Sequence, residues 1–183
     1  MRLLNIWILC LFLSTSAFCQ HDSVIYNMII EEYVLNLRPP NIDYSTKTTI
    51  TVLKSPRYLS QLTNEDFPRF KEKYDKLNKQ TFNGFVKKIQ DKIQLDNYNF
   101  TNIDVILIDT DSIPKRIDLI NLYPTWIHSM IEFSNIGYND NSDQALVYYG
   151  FDSGPGVGGG IYLIFERKRN KWKLKKVLPS WAA

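Results

Sequence analysis

From Ser129 onward the apolar residues of this chain recur at every second position, and that period constrains the fold more than any other feature. Segments near Ser129 to Tyr138, Gln144 to Phe151, Gly160 to Arg167 and Lys171 to Leu178 alternate or run apolar. The turn-forming stretches Asn139 to Asp143, Asp152 to Gly159 and Arg169-Asn170 separate them. Such a pattern predicts a four-stranded antiparallel meander. In the last strand Trp172 and Leu174 should point inward while Lys171, Lys173 and Lys175 point to solvent.

Upstream the spacing is helical. Ile25, Met28, Ile29, Tyr33 and Leu37 fall on one face of a helix expected over Asp22 to Leu37, capped by Asp22 or Ser23 and closed by Pro39-Pro40. Helical spacing returns at Phe67, Phe70, Tyr74 and Leu77, and again at Phe82, Phe85, Val86, Ile89 and Ile93. Asn64 is the expected cap there, Glu65-Asp66 the acidic first turn, and Pro68 is tolerated only within that turn. Thr48 to Leu53 and Ile103 to Ile108 read as strands, and a short helix is expected after Asp111-Ser112. Helices grouped toward the N-terminus and strands toward the C-terminus predict an α+β fold, with the helices packed on one face of the sheet. No repeat or linker divides the chain, so one domain is expected over residues 20–183.

Residues 1–19 read as a cleavable signal peptide. Arg2 supplies a basic start, Leu3 to Leu13 an apolar run too short to span a bilayer, and Ala17 and Cys19 the small residues before a cut that frees Gln20. Lipid attachment at Cys19 is disfavoured because bulky Phe18 precedes it. A secreted or periplasmic protein with no transmembrane segment in its mature chain is therefore expected. Both cysteines, Cys10 and Cys19, lie in the leader, which excludes a disulfide framework, a thiol nucleophile and thiolate metal ligation from the mature chain.

Loss of Arg2 lowers the formal net charge from +3 to +2. The distribution is uneven: Arg167, Lys168, Arg169, Lys171, Lys173, Lys175 and Lys176 crowd one stretch in which Glu166 is the one acid, leaving the rest of the mature chain net acidic. With Trp172 and Trp181 nearby, this hairpin invites a nucleic-acid or anionic-surface reading. Lysines along the solvent side of a terminal strand also keep a sheet edge from pairing, and nucleic acid is not expected as a partner.

The run Ser153-Gly154-Pro155-Gly156-Val157-Gly158-Gly159-Gly160 contains Gly-x-Gly-x-x-Gly at Gly154, Gly156 and Gly159. Dinucleotide binding needs a helix N-terminus and a βαβ unit around that fingerprint, whereas Ile161 to Phe165 is a strand. No cofactor is expected. The glycines predict positive φ angles in a wide hairpin loop whose free backbone amides bind an anion or a partner, making Ser153, Gly154, Gly156, Gly158 and Gly159 the candidate binding residues.

Catalytic groups are sparse. His21 adjoins the new N-terminus, and His128 has no partner at metal-binding spacing. Glu31-Glu32, Asp104, Asp109, Asp111 and Glu132 are the carboxylates from which an acid and base pair would have to come, and Asp109 to Ser112 lacks the pattern of a calcium loop.

Ser134-Asn135-Ile136-Gly137, Asp143-Gln144-Ala145-Leu146-Val147-Tyr148, Gly154-Pro155, the glycine run and Lys171-Trp172-Lys173 together resemble a group of small, uncharacterised bacterial secreted proteins. Members of that group have a C-terminal hairpin, a Gly-rich loop and a Lys-Trp turn. The likeness covers about 45 residues. Some members carry cysteines about where Ser153 and Val157 stand, a bridge this chain would lack, and the resemblance implies no activity. The expectation is an exported α+β module that binds a protein or an envelope polysaccharide through the Asp152 to Gly160 loop. A small hydrolase using carboxylates and His128, or a structural envelope component, are the alternatives.

Overall fold

A computed structural model describes residues 22–35, 48–54, 61–89, 91–93, 95, 103–108, 130–154 and 157–182. The leader, the cut before Gln20, the helix after Asp111-Ser112, His128 and Pro155-Gly156 lie outside the described residues. Two compact units emerge, Met1–Asp43 and Tyr44–Ala183. In the first, helix α1 (22–29) continues into a π-helical stretch at Ile30–Leu35. Ile25 and Ile29 of the expected stripe are buried, and so are Tyr26 and Ile30. No helix among the described residues is long and apolar enough to cross a membrane.

The second unit is built on a seven-stranded mixed sheet. Its strands are β1 (Thr48–Leu53), β2 (Ile103–Ile108), β3 (Met130–Phe133), β4 (Gly137–Tyr138), β5 (Gln144–Gly154), β6 (Val157–Lys168) and β7 (Lys171–Ala182), in the order β2-β1-β3-β5-β6-β7 with β4 beside β5. The α+β class and the C-terminal antiparallel meander are as the sequence predicts. β1 joins the meander by pairing parallel to both β2 and β3. The first meander segment is broken in two at 134–136. Across the break Ser134 stands in for a strand residue: its backbone N–H donates to the Tyr148 carbonyl (3.1 Å) and its hydroxyl accepts from the Tyr148 N–H (2.8 Å). Backbone groups of buried β5 are thereby satisfied where the neighbouring strand bends away.

Helices α2 (Phe67–Lys73) and α3 (Lys79–Lys88) form where the stripes are predicted but end sooner: Tyr74, with extended backbone, and Leu77 lie past α2, and Ile89 and Ile93 past α3. The cap is Thr63, not Asn64, because a 3-10 turn at Asn64–Asp66 precedes α2. The Thr63 hydroxyl accepts from Glu65 N–H, and Asp66 accepts in return from Thr63 N–H (2.9 Å). Pro68 sits in the first helical turn, where no N–H is missed. Asn78 caps α3 by accepting from Gln80 N–H (2.8 Å). Just before α3, the Gln144 side chain accepts from Asn78 N–H (2.7 Å) and donates to the Lys76 carbonyl (3.0 Å), fixing the α2–α3 turn to the start of β5.

Phe70, Leu77, Phe82, Phe85 and Ile89 pack on Leu146, Tyr148, Tyr162, Ile164 and Leu178 in one buried cluster. Phe70 lies at its centre, with ring centroids 4.9 Å from Phe82 and 4.8 Å from Tyr162. Ala145, Val147, Leu163 and Phe165, which alternate with that set, are buried as well, so both faces of the central strands are covered rather than one. In β7 Trp172 is buried and Lys171, Lys173 and Lys175 are exposed, as the alternation predicts. The register shift against Ile164/Phe165 then turns Leu178 to the helix-bearing face, and a second, against Gly160/Ile161, sets Trp181 opposite Gly160. Arg169 and Asn170, both at positive φ, form the two-residue turn between β6 and β7.

The Tyr74 hydroxyl, just past α2, donates to Glu166 of β6 (2.8 Å). Burial, helped by that hydrogen bond and the carboxylate's charge, pushes Tyr74 up to about 12. An unfolded tyrosine ionises near about 10, so this contribution to stability is complete below that pH and is lost as pH rises through the folded value. Urea midpoints of the native protein should fall more steeply than those of Tyr74→Phe between about pH 10 and 12. Parallel curves would show that Tyr74 does not carry the effect.

Candidate functional site

The wide loop expected from Asp152 to Gly160 is instead the end of a long hairpin. Gly150 pairs with Gly160, Phe151 with Gly159 and Asp152 with Gly158, and after an irregularity at Ser153 Gly154 pairs with Val157. Only Pro155 and Gly156 stand between the strands. Gly159 and Gly160 are also paired on their other side, with Ala182 and Trp181 of β7. Their backbone groups belong to ladders on both flanks and do not form a free amide nest. Nor do Gly158, Gly159 and Gly160 take positive φ.

What excludes side chains here is crowding by aromatic rings. A Cβ on Gly158 would lie 3.0 Å from Cη2 of Trp181, and one on Gly160 would overlap Trp181 Nε1 and the Tyr148 hydroxyl and lie 2.8 Å from Trp181 Cδ1. One on Gly150, directly across from Gly160, would meet the Tyr148 hydroxyl at 2.6 Å. The Trp181 indole therefore lies across Gly158 and Gly160, and its Nε1 donates to the Tyr148 hydroxyl (2.7 Å). Tyr148 is fully buried among the core rings, so this bond ties the indole to the core. Val157, two residues before Gly159 on the same strand, leaves the opposite face and is 54% exposed. Of the candidate residues, Gly158 belongs to this platform, Gly159 faces the other way toward Phe151, Ser153 and Gly154 end β5, and Gly156 is outside the described residues. Tyr148 was not among the candidate binding residues, and Trp181 entered only as a neighbour of the basic hairpin. The signal for them was Gly158 and Gly160 at period two, which puts both on one face, with a tryptophan near the end of the following strand.

The carboxylates separate. Glu31 and Glu32 are exposed on the first unit, and Asp109 and Asp111, like the side chain of Asp104, are outside the described residues. Glu132 is buried, with 1% of its surface exposed. Glu132 stands opposite Gly150 and Met130 opposite Asp152, so Glu132 and Asp152 leave the same face as diagonal neighbours, near the Tyr148 hydroxyl that lies over Gly150. Among the described residues no group of three His, Cys, Asp or Glu side chains is placed to hold a metal ion.

The basic stretch divides by face. The Arg167 guanidinium sits 5.6 Å from the ring centroid of buried Trp172 and donates to the Asn141 carbonyl (3.4 Å). Lys168, Arg169, Lys171, Lys173, Lys175 and Lys176 are exposed, and none makes an ion pair or side-chain hydrogen bond with a described residue. Lys168 stands directly opposite Lys171, and Lys173 opposite Glu166, whose carboxylate already accepts from Tyr74.

Compared with protein-family models, curated proteins and solved structures, the chain matches none.

Proposed function

We propose that this chain is an exported binding module that holds a polysaccharide at the end of the β5–β6 hairpin. The observation that carries this reading is the Trp181 indole, laid across Gly158 and Gly160 and tied to the Tyr148 hydroxyl. A sugar ring offers a flat patch of C–H bonds that packs on an indole face. A ring already fixed in position loses little conformational freedom on contact, so more of the contact energy appears as affinity. Gly158 and Gly160 serve as the floor of the platform rather than as amide donors.

Calorimetric titration with a set of neutral and acidic polysaccharides tests this. At least one should bind the native chain, and Trp181→Ala should weaken it by roughly tenfold or more, the usual scale for a buried aromatic anchor. Trp181→Phe, which keeps a ring but not the bond to Tyr148, should fall between. Equal binding by native and Trp181→Ala proteins with matched circular dichroism would overturn the proposal.

A hydrolase is the second reading, and buried Glu132 diagonal to Asp152 is what favours it. Turnover of a bound polysaccharide that stops in Glu132→Gln, with binding retained, would establish it. Absence of reducing ends after prolonged incubation would remove it.

A further inference from the structure

We infer that the ligand is a linear acidic polysaccharide lying along β7, with its carboxylate or sulfate groups on Lys171, Lys173 and Lys176 and one ring on Trp181. The inference rests on the polysaccharide-binding reading for its Trp181 end and has its own footing at the lysine end. β7 is the edge of the sheet and carries both features on one strand. Through its pairing with β6, Lys171, Lys173, Lys176 and Trp181 stand opposite Lys168, Glu166, Ile164 and Gly160. Alternate β6 residues share a face, so all four β7 side chains project from the side of the sheet that bears α2 and α3. From Lys171 to Trp181 the strand runs roughly 30 Å. That length suits a polymer and exceeds any single sugar.

Protection of a sheet edge does not explain this charge. β7 already has two register shifts and Pro179, each of which spoils pairing with another strand. Lys168 and Arg169 belong to β6 and the turn, where no edge needs guarding. Lys168 directly opposite Lys171 is a repulsive cross-strand pair, and no described acid neutralises it. Glu166, the nearest acid along the strand, is engaged by Tyr74, and that bond brings the end of α2, with Lys73 exposed, beside the same row. The repulsion is relieved when an anionic chain lies along the row. Single-stranded nucleic acid would want several stacking rings interleaved with the cations. Here the second tryptophan, Trp172, is buried on the opposite face beneath Arg167.

The test titrates the full mature chain with polygalacturonate, chondroitin sulfate and neutral dextran, and with single-stranded DNA and phosphatidylglycerol vesicles as competing polyanions. One acidic polysaccharide should bind more tightly than dextran, and its affinity should drop roughly tenfold or more between about 50 and 300 mM salt as released counterions oppose it. The exposed triple variant Lys171→Gln, Lys173→Gln, Lys176→Gln should lose on the order of tenfold to a hundredfold while keeping its melting temperature. Loss with Trp181→Ala but none with the triple variant or with salt would sink the acidic-ligand inference and leave the platform reading intact. Loss with the triple variant alone would uphold the lysine row and sink the platform. No binding of either acidic polysaccharide, or tighter lysine-dependent binding of DNA or vesicles, overturns the inference.

Discussion

Gly137→Ala is expected to unfold the protein or to lower its stability by about 3 kcal/mol or more. A methyl group at Gly137 would overlap the backbone N and Cα of Phe85 and lie 2.5 Å from its Cβ. Overpacking usually costs about 1–3 kcal/mol because side chains around the new group can swing aside. Here the obstacle is the α3 backbone at a fully buried residue, and α3 can retreat only by opening the aromatic cluster formed by Phe82, Phe85 and Phe70. The closeness is reciprocal: a Cβ on Gly84 would lie 2.8 Å from the Tyr138 carbonyl oxygen. Gly84→Ala should do less harm, since alanine favours a helix over glycine by about 1 kcal/mol and offsets part of the clash. Against a total of about 5–15 kcal/mol for an ordinary domain, the Gly137 change removes a large share. Urea denaturation measures both. A Gly137→Ala midpoint indistinguishable from native would show that α3 and β4 do not meet backbone to backbone.

Such contacts mark where the sequence stopped being informative. Stripes such as Phe67, Phe70, Tyr74 and Leu77 placed α2 and α3 because one buried face leaves a local period, and Arg169-Asn170 marked a turn because few residues tolerate positive φ. The parallel joining of β1 to β2 and β3 is a pairing between distant segments that leaves no such local trace. Ser134 hid the break between β3 and β4, since its hydroxyl replaces a ladder partner without disturbing the apolar pattern. At the candidate site the difficulty was ambiguity: a glycine required by a turn and a glycine required by a ring overhead look the same in sequence. Positive φ and free amides are what the glycine run predicts, and the ring overhead is what Gly158 and Gly160 accommodate. The position of Trp181, which supplies that reason, is set by the register of β7 on β6.

The two explanations of the glycine run diverge sharply at neighbouring residues. Gly160→Ala should cost roughly 2–3 kcal/mol, from the clash and from the lost indole hydrogen bond, and should weaken polysaccharide binding together with stability. Its methyl group would fall on Trp181 Nε1 and the Tyr148 hydroxyl, and buried Tyr148 cannot yield, so Trp181 must leave the platform. Gly159→Ala puts its methyl group on the other face, 3.3 Å from the ring edge of Phe151, which is only partly buried and can shift. It should cost less than about 1 kcal/mol, the small strand-propensity gain of alanine helping to offset the contact. Were the glycines a cradle of backbone amides, both substitutions would disturb the ligand alike and neither would move the indole. The Trp181 indole N–H resonance separates the two cases directly. It should shift markedly in Gly160→Ala and stay near its native position in Gly159→Ala, while equal behaviour of the two variants would return the site to the backbone.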